Sequence, residues 1–237
     1  MVWLRKIACF PFILSKAGLP PAGKTRRIKY NSGMKKILIT AFEPFAGRKR
    51  NPALEVMARL KPAAFGCRLF RGKLPVSGRE VGPALNRLLL KVRPDYMISL
   101  GLAAGEAALR IERFGLNILD YGIKDNKGWL PEGKKIKEDG PAAYFVNTAP
   151  VKLAAAARKT GVPAYVSNHA GAYVCNTLIY EAMHAIITGG FSTKFAFIHL
   201  PLTTEMALQE GAGRATPPSL PLAALAKAVE AAIKAVK

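Results

Sequence analysis

The sequence predicts an α/β protein with three layers, in which helices cover both faces of a mostly parallel, mixed sheet. Two observations lead to this prediction. From Met34 onward, short apolar segments alternate with longer segments of helical periodicity, an order that is typical of parallel sheets. One of the short segments, residues 96–100, is apolar, as expected of a strand that is buried on both faces.

The individual elements follow from local patterns. Asn51 and Pro52 favour a helix start, because asparagine caps helices and proline suits the first helical position. Residues 124–140 are rich in glycine, proline, lysine and aspartate, and this composition predicts a loop. Strands are predicted for residues 36–42, 67–76, 96–100, 109–118, 164–167 and 195–200. Besides the helix that starts at position 51, helices are predicted for residues 78–92, 149–159, 174–188 and 222–236.

The charge of the chain is strongly basic. Of 237 residues, 36 are lysine or arginine and 15 are aspartate or glutamate, which gives a formal net charge of +21. Such an excess attracts nucleic acids and anionic surfaces without specifying either. The charge is spread along the chain, however, and no RNP-like aromatic motif or zinc finger accompanies it. We therefore expect a solvated basic surface and no nucleic-acid partner.

Cysteine and histidine usage narrows the class of protein further. Cys9, Cys67 and Cys175 form no even disulfide framework, which favours a reducing compartment and a cytoplasmic location. Three histidines without CxxC or HExxH spacing leave little to build a zinc site from, and we expect neither a metal nor another cofactor. No apolar run approaches the ~20 residues needed to cross a bilayer, so we expect no membrane association.

Residues 1–33 differ in composition from the rest. They hold seven basic residues and no acidic one, and Pro11 interrupts the short apolar stretch that follows Arg5 and Lys6. A signal peptide would need a longer apolar stretch and a small-residue cleavage site, whereas a transit-like leader and a mis-assigned start remain open alternatives. We expect a poorly ordered basic appendage at 1–33 and one folded domain at 34–237.

Two segments carry most of the chemistry. SNHAGAYVCN, at residues 167–176, places Cys175 at a strand-to-helix turn, and FIHLP, at residues 197–201, places His199 near the end of the next strand. A thiol at a helix N-terminus is favoured as the thiolate by the helix dipole, and a nearby imidazole can act as its general base. The alternative is a buried cysteine and an ordinary core histidine, since free cysteine is commonly buried.

Four blocks of the sequence resemble the pyroglutamyl peptidase I family. SNHAGAYVCN is similar to the family's SNTAGTYVCN, and FIHLPL at 197–202 is similar to FIHIPY. ITAFEPFAG at 39–47, with Asn51 and Pro52, resembles the family's TGFEPFGG and NP. GLAAGEAALRIERFGLNILDYGIKDN at 101–126 resembles GQAGG…IxxERxAxNxxDARIPDN. The blocks keep the same order from about Met34 to the C-terminus.

This resemblance implies a cysteine peptidase that removes N-terminal pyroglutamate from peptides, without a cofactor and as a homotetramer. It implies Cys175 as the nucleophile, His199 as the general base and Glu112, in the family's ER pair, as the carboxylate that orients the imidazole. The pyroglutamyl lactam is neutral, flat and small, so it needs an apolar slot with a few polar groups. Residues of the matched blocks that we expect to form this slot are Phe42, Phe45, Asn51, Ile123, Tyr173 and Val174.

Other carboxylates compete with Glu112 for the third place in this triad. The candidates are Glu43, Glu106 and Asp120, of which Glu43 is expected to set the geometry of a turn or helix cap instead. Glu112 itself could form only a local ion pair with the neighbouring Arg113.

Several positions depart from the family pattern. Leu102, Ala104 and Glu106 stand where the family has Gln, Gly and Arg. Arg and Pro of the family's DARIPDN are replaced by Gly122 and Lys124, and Thr177 replaces a common His. Two interpretations follow: an active pyroglutamyl peptidase, or a divergent relative with low or no activity that binds an anionic partner. Retention of all three candidate catalytic residues favours the first interpretation.

Deletion of residues 1–33 should leave both folding and turnover nearly unchanged, because every matched block follows Met34. The measurement is hydrolysis of a fluorogenic pyroglutamyl amide by the full-length and shortened proteins, with thermal unfolding recorded on the same samples. An insoluble or inactive shortened protein would show that the basic segment is part of the folded domain.

Overall fold

The computed structural model of this protein describes residues 33–212 and 215–236. The predicted disorder of residues 1–33 lies almost entirely outside these residues. The described strands are β1 Lys36–Phe42, β2 Arg68–Leu74, β3 Tyr96–Leu102, β4 Leu109–Glu112, β5 Phe114–Leu116, β6 Ala143–Phe145, β7 Ala164–Ser167, β8 Lys194–Leu200, β9 Leu202–Thr203 and β10 Ser219–Leu220. The helices are α1 Pro52–Arg59, α2 Val81–Val92, α3 Pro150–Arg158, α4 Val174–Thr188, α5 Thr204–Glu210 and α6 Leu222–Lys234, with a 3₁₀ turn at Pro62–Ala64.

The central sheet has six strands in the order β2-β1-β3-β8-β4-β7. β2, β1, β3 and β8 run parallel to one another, whereas β4 is antiparallel to β8 and parallel to β7. The antiparallel register places Arg110 of β4 directly opposite His199 of β8. The sheet is therefore mixed but mostly parallel, as the sequence predicts.

Helices cover both faces of this sheet. One face packs against α1, α3 and α6, and the other face packs against α2 and α4. β8 shows how the two cores are divided, because Ile198 belongs to the first core and its neighbour Phe197 to the second. Successive strand residues point to opposite faces, so His199 shares a face with Phe197 and lies on the α4 side.

The strongest patterns in the sequence give the most accurate boundaries. β1, β7 and α4 have the predicted bounds, and residues 124–140 contain no helix or strand, as predicted. Asn51 caps α1, and its side chain accepts a hydrogen bond from the Ala53 N–H. Elements that the sequence did not predict are short: the 3₁₀ turn, β6, β9, α5 and β10.

The prediction of one strand over residues 109–118 is wrong, because the chain leaves the main sheet at Arg113. The Arg113 N–H donates to the Ser167 carbonyl, and its own carbonyl accepts from the Val146 N–H. β5 then pairs with β6 in a separate two-stranded sheet that packs against α4. The break brings the backbone at Gly115 against α4 so closely that an added Cβ would lie 2.7 Å from the Tyr180 nitrogen.

Gly115→Ala should therefore lower the free energy of unfolding by roughly 1–3 kcal/mol, because the new methyl group has no room beside the α4 backbone. Gly122→Ala is the matched control, since a Cβ at Gly122 would meet nothing within 4 Å. Urea denaturation followed by circular dichroism measures both variants. Equal midpoints for the two variants would contradict this packing of β5 on α4.

Candidate active site

A cavity of about 180 Å³ lies where parallel strands β1, β3 and β8 end and α4 begins. Ligands favour this edge in open α/β sheets. Cys175 and His199 both line this cavity, which brings the two predicted catalytic groups together. A larger groove of about 660 Å³ lies beside Trp129, but neither Cys175 nor His199 lines it. Of these two, the smaller cavity is the one that both predicted catalytic side chains line.

Cys175 is the second residue of α4, directly after a tight turn. Gly171 in that turn has a φ of 78°, a conformation that glycine adopts without strain. The next side chain, Asn176, is fully buried and accepts from the Leu116 N–H at 2.8 Å. It also donates to the carbonyls of Leu116 and Ile118, at 2.9 and 3.0 Å. Asn176 thereby fixes the first turn of α4, and with it Cys175, to the β5 segment.

His199 is bound to Glu112 on the adjacent strand. The Nδ1 atom of His199 lies 2.7 Å from Oε1 of Glu112, and the two residues are 3% and 0% exposed. A carboxylate only accepts hydrogen bonds, so we assign the imidazole proton to Nδ1, which leaves Nε2 as an acceptor. The Phe197 ring packs edge-on against the imidazole, with 4.8 Å between centroids.

The charge of Glu112 is maintained despite its burial. Burial raises the pKa of this carboxyl, but the hydrogen bond that His199 donates, with smaller contributions from Ser167 and from the positive charge of Arg110, outweighs it and holds the pKa below its usual value. Glu112 therefore provides a fixed negative charge behind the imidazole, the arrangement that the third member of a triad requires.

Burial outweighs the shift toward the thiolate that the helix start favours at Cys175. Burial, with a smaller contribution from the Glu112 charge, raises the pKa of this thiol to about 12, although Arg110 acts in the opposite direction. The N-terminus of α4 also favours the thiolate, but helix-end effects are modest beside the cost of desolvating a charge. A thiol whose pKa is raised in this way gives up its proton as the sulfur attacks.

All but one of the residues expected to form the substrate slot line the cavity. Phe42 and Phe45 form one part of its apolar wall, and Tyr173 and Val174 form another. Ile123 is not part of this wall, and its side chain is 48% exposed. The reason is that Asp125, rather than Ile123, turns inward in this loop and accepts from the backbone of Gly78 and Trp129. A substrate contact at Ile123 has no support from this geometry.

Asn51 lines the cavity, but its polar atoms form hydrogen bonds within the protein. Its amide donates to the carbonyls of Phe42 and Glu43, at 3.0 and 3.1 Å, and its oxygen accepts from Ala53. Both amide hydrogens are therefore used. Asn51 holds the turn after β1 and shapes the wall without a donor left for a ligand.

The rival carboxylates occupy other places. Oε1 of Glu43 accepts from the Val76 N–H at 3.0 Å and from the Asn126 amide at 2.9 Å, so Glu43 ties loops together. Glu106 binds the Tyr165 hydroxyl, and the Asp120 side chain is exposed. None of the three lines the cavity.

Sequence reasoning missed several residues of the cavity wall, namely Val76, Leu102, Ala103, Arg110 and Ala170. Most of them are small or apolar and carry no distinctive signal. Arg110 differs, because a charged residue in the otherwise apolar strand segment before Glu112 indicates a partner in the protein or in a ligand.

Two of the positions that depart from the family pattern lie outside the cavity wall. Gly122 is exposed, and Thr177 is buried with its hydroxyl 3.1 Å from that of Tyr121.

Two general findings apply to the described residues as a whole. They contain no group of three or more histidine, cysteine, aspartate or glutamate side chains that could hold a metal ion. None of their helices is both long and apolar enough to span a membrane.

Comparison with known proteins gives one consistent family. The family model for pyroglutamyl peptidase matches residues 35–237. The pyrrolidone-carboxylate peptidase of Thermococcus onnurineus is 42% identical over 200 residues, which cover 84% of this chain and 97% of that protein. The crystal structure of pyroglutamyl peptidase I from Bacillus amyloliquefaciens is similar, with a TM-score of 0.80 and 33% identity over 85% of this chain and 96% of that one. Pyrrolidone carboxyl peptidase from Thermococcus litoralis gives a TM-score of 0.80 and 35% identity, covering 86% and 93% of the two chains.

The rate of Cys175 alkylation by iodoacetamide should be low at neutral pH and should still rise above about pH 9, because the thiolate is the reacting form and burial raises the pKa of this thiol. Peptide mapping distinguishes alkylation of Cys175 from alkylation of Cys67. Cys67 is buried in the core and is the internal control for a thiol outside the cavity. A rate that levels off below about pH 8 would mean that the pKa of Cys175 is at or below that of an ordinary cysteine. That result would show instead that the resting group is a thiolate.

Proposed function

This chain belongs to the pyroglutamyl peptidase family, cysteine peptidases that remove an N-terminal pyroglutamate from peptides, and we propose that Cys175, His199 and Glu112 perform that reaction. The observation that supports the assignment best is the 2.7 Å bond between Nδ1 of His199 and Glu112, in a site where His199 and Cys175 line the same cavity. A nucleophile, a general base and an orienting carboxylate together, rather than a lone cysteine, make this site suitable for acyl transfer.

In the first step, the Cys175 sulfur attacks the carbonyl carbon that links pyroglutamate to the next residue. The S–C bond forms as the carbonyl π bond opens, and the electron pair moves to the oxygen. Because the resting group is a thiol, its proton passes to Nε2 of His199 during the attack. Glu112 stabilises the imidazolium that results. The first N–H groups of α4 lack partners within the helix and favour the negative oxygen.

The intermediate then collapses to a thioester. The C–N bond breaks, and His199 gives its proton to the departing amine of the shortened peptide. Water next adds to the thioester carbonyl and passes a proton to His199. The C–S bond breaks, the proton returns to sulfur, and free pyroglutamate leaves the site. The same imidazole therefore acts alternately as base and acid.

We propose that the pyroglutamyl ring occupies the 180 Å³ cavity against Phe42, Phe45, Tyr173 and Val174. The cavity is small and mostly apolar, which suits a flat neutral lactam. An ordinary peptide would bring a charged α-amino group into the same space, and burial of an unpaired charge is costly. This difference would select pyroglutamyl peptides over peptides with a free N-terminus.

Assembly, location and domain limits are further parts of the proposal. The family resemblance supports a homotetramer, and cysteine usage supports a cytoplasmic location. The family match, which begins at residue 35, supports a catalytic domain at 34–237. Light scattering of the purified protein tests the assembly, and a monomer at working concentration would contradict it.

Cys175→Ser should lower kcat for a fluorogenic pyroglutamyl amide by roughly 10³-fold or more, because an alkoxide is far harder to generate than a thiolate. Glu112→Gln should lower kcat by roughly 10²–10⁴-fold with little change in KM, because the imidazole loses both its orientation and its countercharge. The matched control is Glu230→Gln, which removes a surface carboxylate that pairs with Lys234 on α6.

Near-normal turnover by Cys175→Ser would contradict the nucleophile assignment. A Glu112→Gln enzyme as active as the Glu230→Gln control would remove Glu112 from the triad. A prolyl amide, which lacks the lactam carbonyl, tests the substrate class, and equal hydrolysis of the two amides would contradict the proposed selectivity.

A further inference from the structure

Arg110 has an unusual position for a charged side chain. It lies in β4, lines the cavity together with Cys175 and His199, and has a side chain that is only 25% exposed. Its Nε atom is buried and, like Oε2 of Glu112, finds no hydrogen-bond partner among the described residues. A buried guanidinium N–H without an acceptor is costly, so the guanidinium is not fully satisfied within the protein. Its exposed part lies in the cavity wall, where a ligand can supply an acceptor.

The strand geometry places this guanidinium at the reaction centre. Arg110 precedes Glu112 by two residues, so the two side chains project from the same face of β4. Arg110 is also the residue that pairs directly with His199 across the antiparallel β4–β8 contact. The face that holds the proposed base and its carboxylate therefore also holds one fixed positive charge.

The outer end of the same side chain lies near Glu106. Nη1 of Arg110 lies 3.8 Å from Oε1 of Glu106, while the other oxygen of Glu106 accepts from the Tyr165 hydroxyl. Glu106 therefore places a negative charge, itself bound to Tyr165, beside the outer end of the guanidinium. Among the residues that line the cavity, Arg110 is the one arginine, and no lysine accompanies it.

We infer that Arg110 is a further catalytic residue, whose guanidinium donates a hydrogen bond to the scissile carbonyl oxygen as that oxygen gains negative charge. The inference rests on the proposed attack by Cys175. A pyroglutamyl substrate brings two carbonyl oxygens into the cavity, but only the scissile one becomes an anion, and a fixed cation stabilises an anion more than a neutral carbonyl.

The charge of Arg110 also acts on the proposed triad before substrate binds. It opposes the burial that raises the pKa of Cys175, and it contributes to the lowered pKa of Glu112. Loss of this cation should therefore make the thiol harder to ionise. That effect gives a second readout, which does not require turnover.

The positions around Arg110 are consistent with this role. Glu106 and Gly122 stand where the related family carries arginine, so neither supplies a cation here. Arg110 places a guanidinium within the cavity wall, four residues after Glu106 and on the strand that carries Glu112. In this chain, the positive charge of the site comes from β4.

The test compares Arg110→Met and Arg110→Lys with the wild type on a fluorogenic pyroglutamyl amide, with Arg87→Met as the control for loss of one exposed charge. Arg110→Met should lower kcat by roughly 10²–10³-fold and change KM little, because the contact is made mainly in the transition state. Arg110→Lys should recover only part of this loss, since an ammonium lacks the planar fork of donors. Arg87→Met should behave as the wild type.

Two ligands separate a catalytic role from a structural one. The aldehyde analogue of pyroglutamate reacts with Cys175 to form a hemithioacetal, in which the former carbonyl carbon is tetrahedral and its oxygen takes up the thiol proton. 2-Pyrrolidone resembles only the ring. Arg110→Met should weaken binding of the aldehyde by a factor close to its loss in kcat and leave binding of 2-pyrrolidone unchanged. It should also shift the pH dependence of Cys175 alkylation to higher pH. If thermal unfolding shows that Arg110→Met is not folded, the same comparison of kcat and of binding of the two ligands is made with Arg110→Lys.

Each alternative outcome has a definite meaning. A rise in KM without a fall in kcat, or weaker binding of both ligands alike, would overturn the inference and assign Arg110 to ring binding. Unchanged kinetics in a folded variant would overturn it as well. If the wild type does not cleave the pyroglutamyl amide, the proposed function fails, whereas an active wild type with an unaffected Arg110→Met variant removes only this inference.

Discussion

The candidate site is organised around a fully buried carboxylate, that of Glu112. Burial of a charge costs several kcal/mol unless partners compensate for it. Here the compensation comes from Nδ1 of His199 at 2.7 Å and from the positive charge of Arg110. Both partners are available because β4 runs antiparallel to β8 in an otherwise mostly parallel sheet, which sets Arg110 opposite His199. The direction of one short strand thus determines where the proposed base and its two charged neighbours lie.

The nucleophile reaches the same cavity from a different part of the fold. Asn176 ties the first turn of α4 to β5, and β5 exists because the chain leaves the sheet directly after Glu112. The end of β4 therefore positions both the carboxylate and, through β5, the helix that carries Cys175. The burial that brings these groups together also raises the pKa of the thiol, so proton transfer to His199 becomes part of the attack.

Much of this arrangement could be predicted from the sequence, and the parts that could not have physical reasons. β1 and α4 have strong, uninterrupted patterns, and their predicted bounds agree with the structure. The break at Arg113 depends on hydrogen bonds to Ser167 and Val146, which lie far away in sequence, so no local pattern shows it. Likewise, the pKa of Cys175 depends on desolvation by the assembled cavity, while its place at a helix start argued for the opposite shift. The charge of Arg110 within an apolar strand is visible in the sequence. Its position opposite His199, on which the inferred role depends, is visible only in the strand register of the structure.

The most direct measurement is to trap the acyl group during turnover of an activated pyroglutamyl ester and to locate it by peptide mapping after acid quench. We expect the acyl group on Cys175 of the wild type within the first turnover, and its loss from that position when the quenched enzyme is treated with a strong nucleophile. Turnover without a thioester at Cys175, or an acyl group on Cys9 or Cys67 instead, would contradict the assignment of Cys175 as the nucleophile that His199 and Glu112 activate.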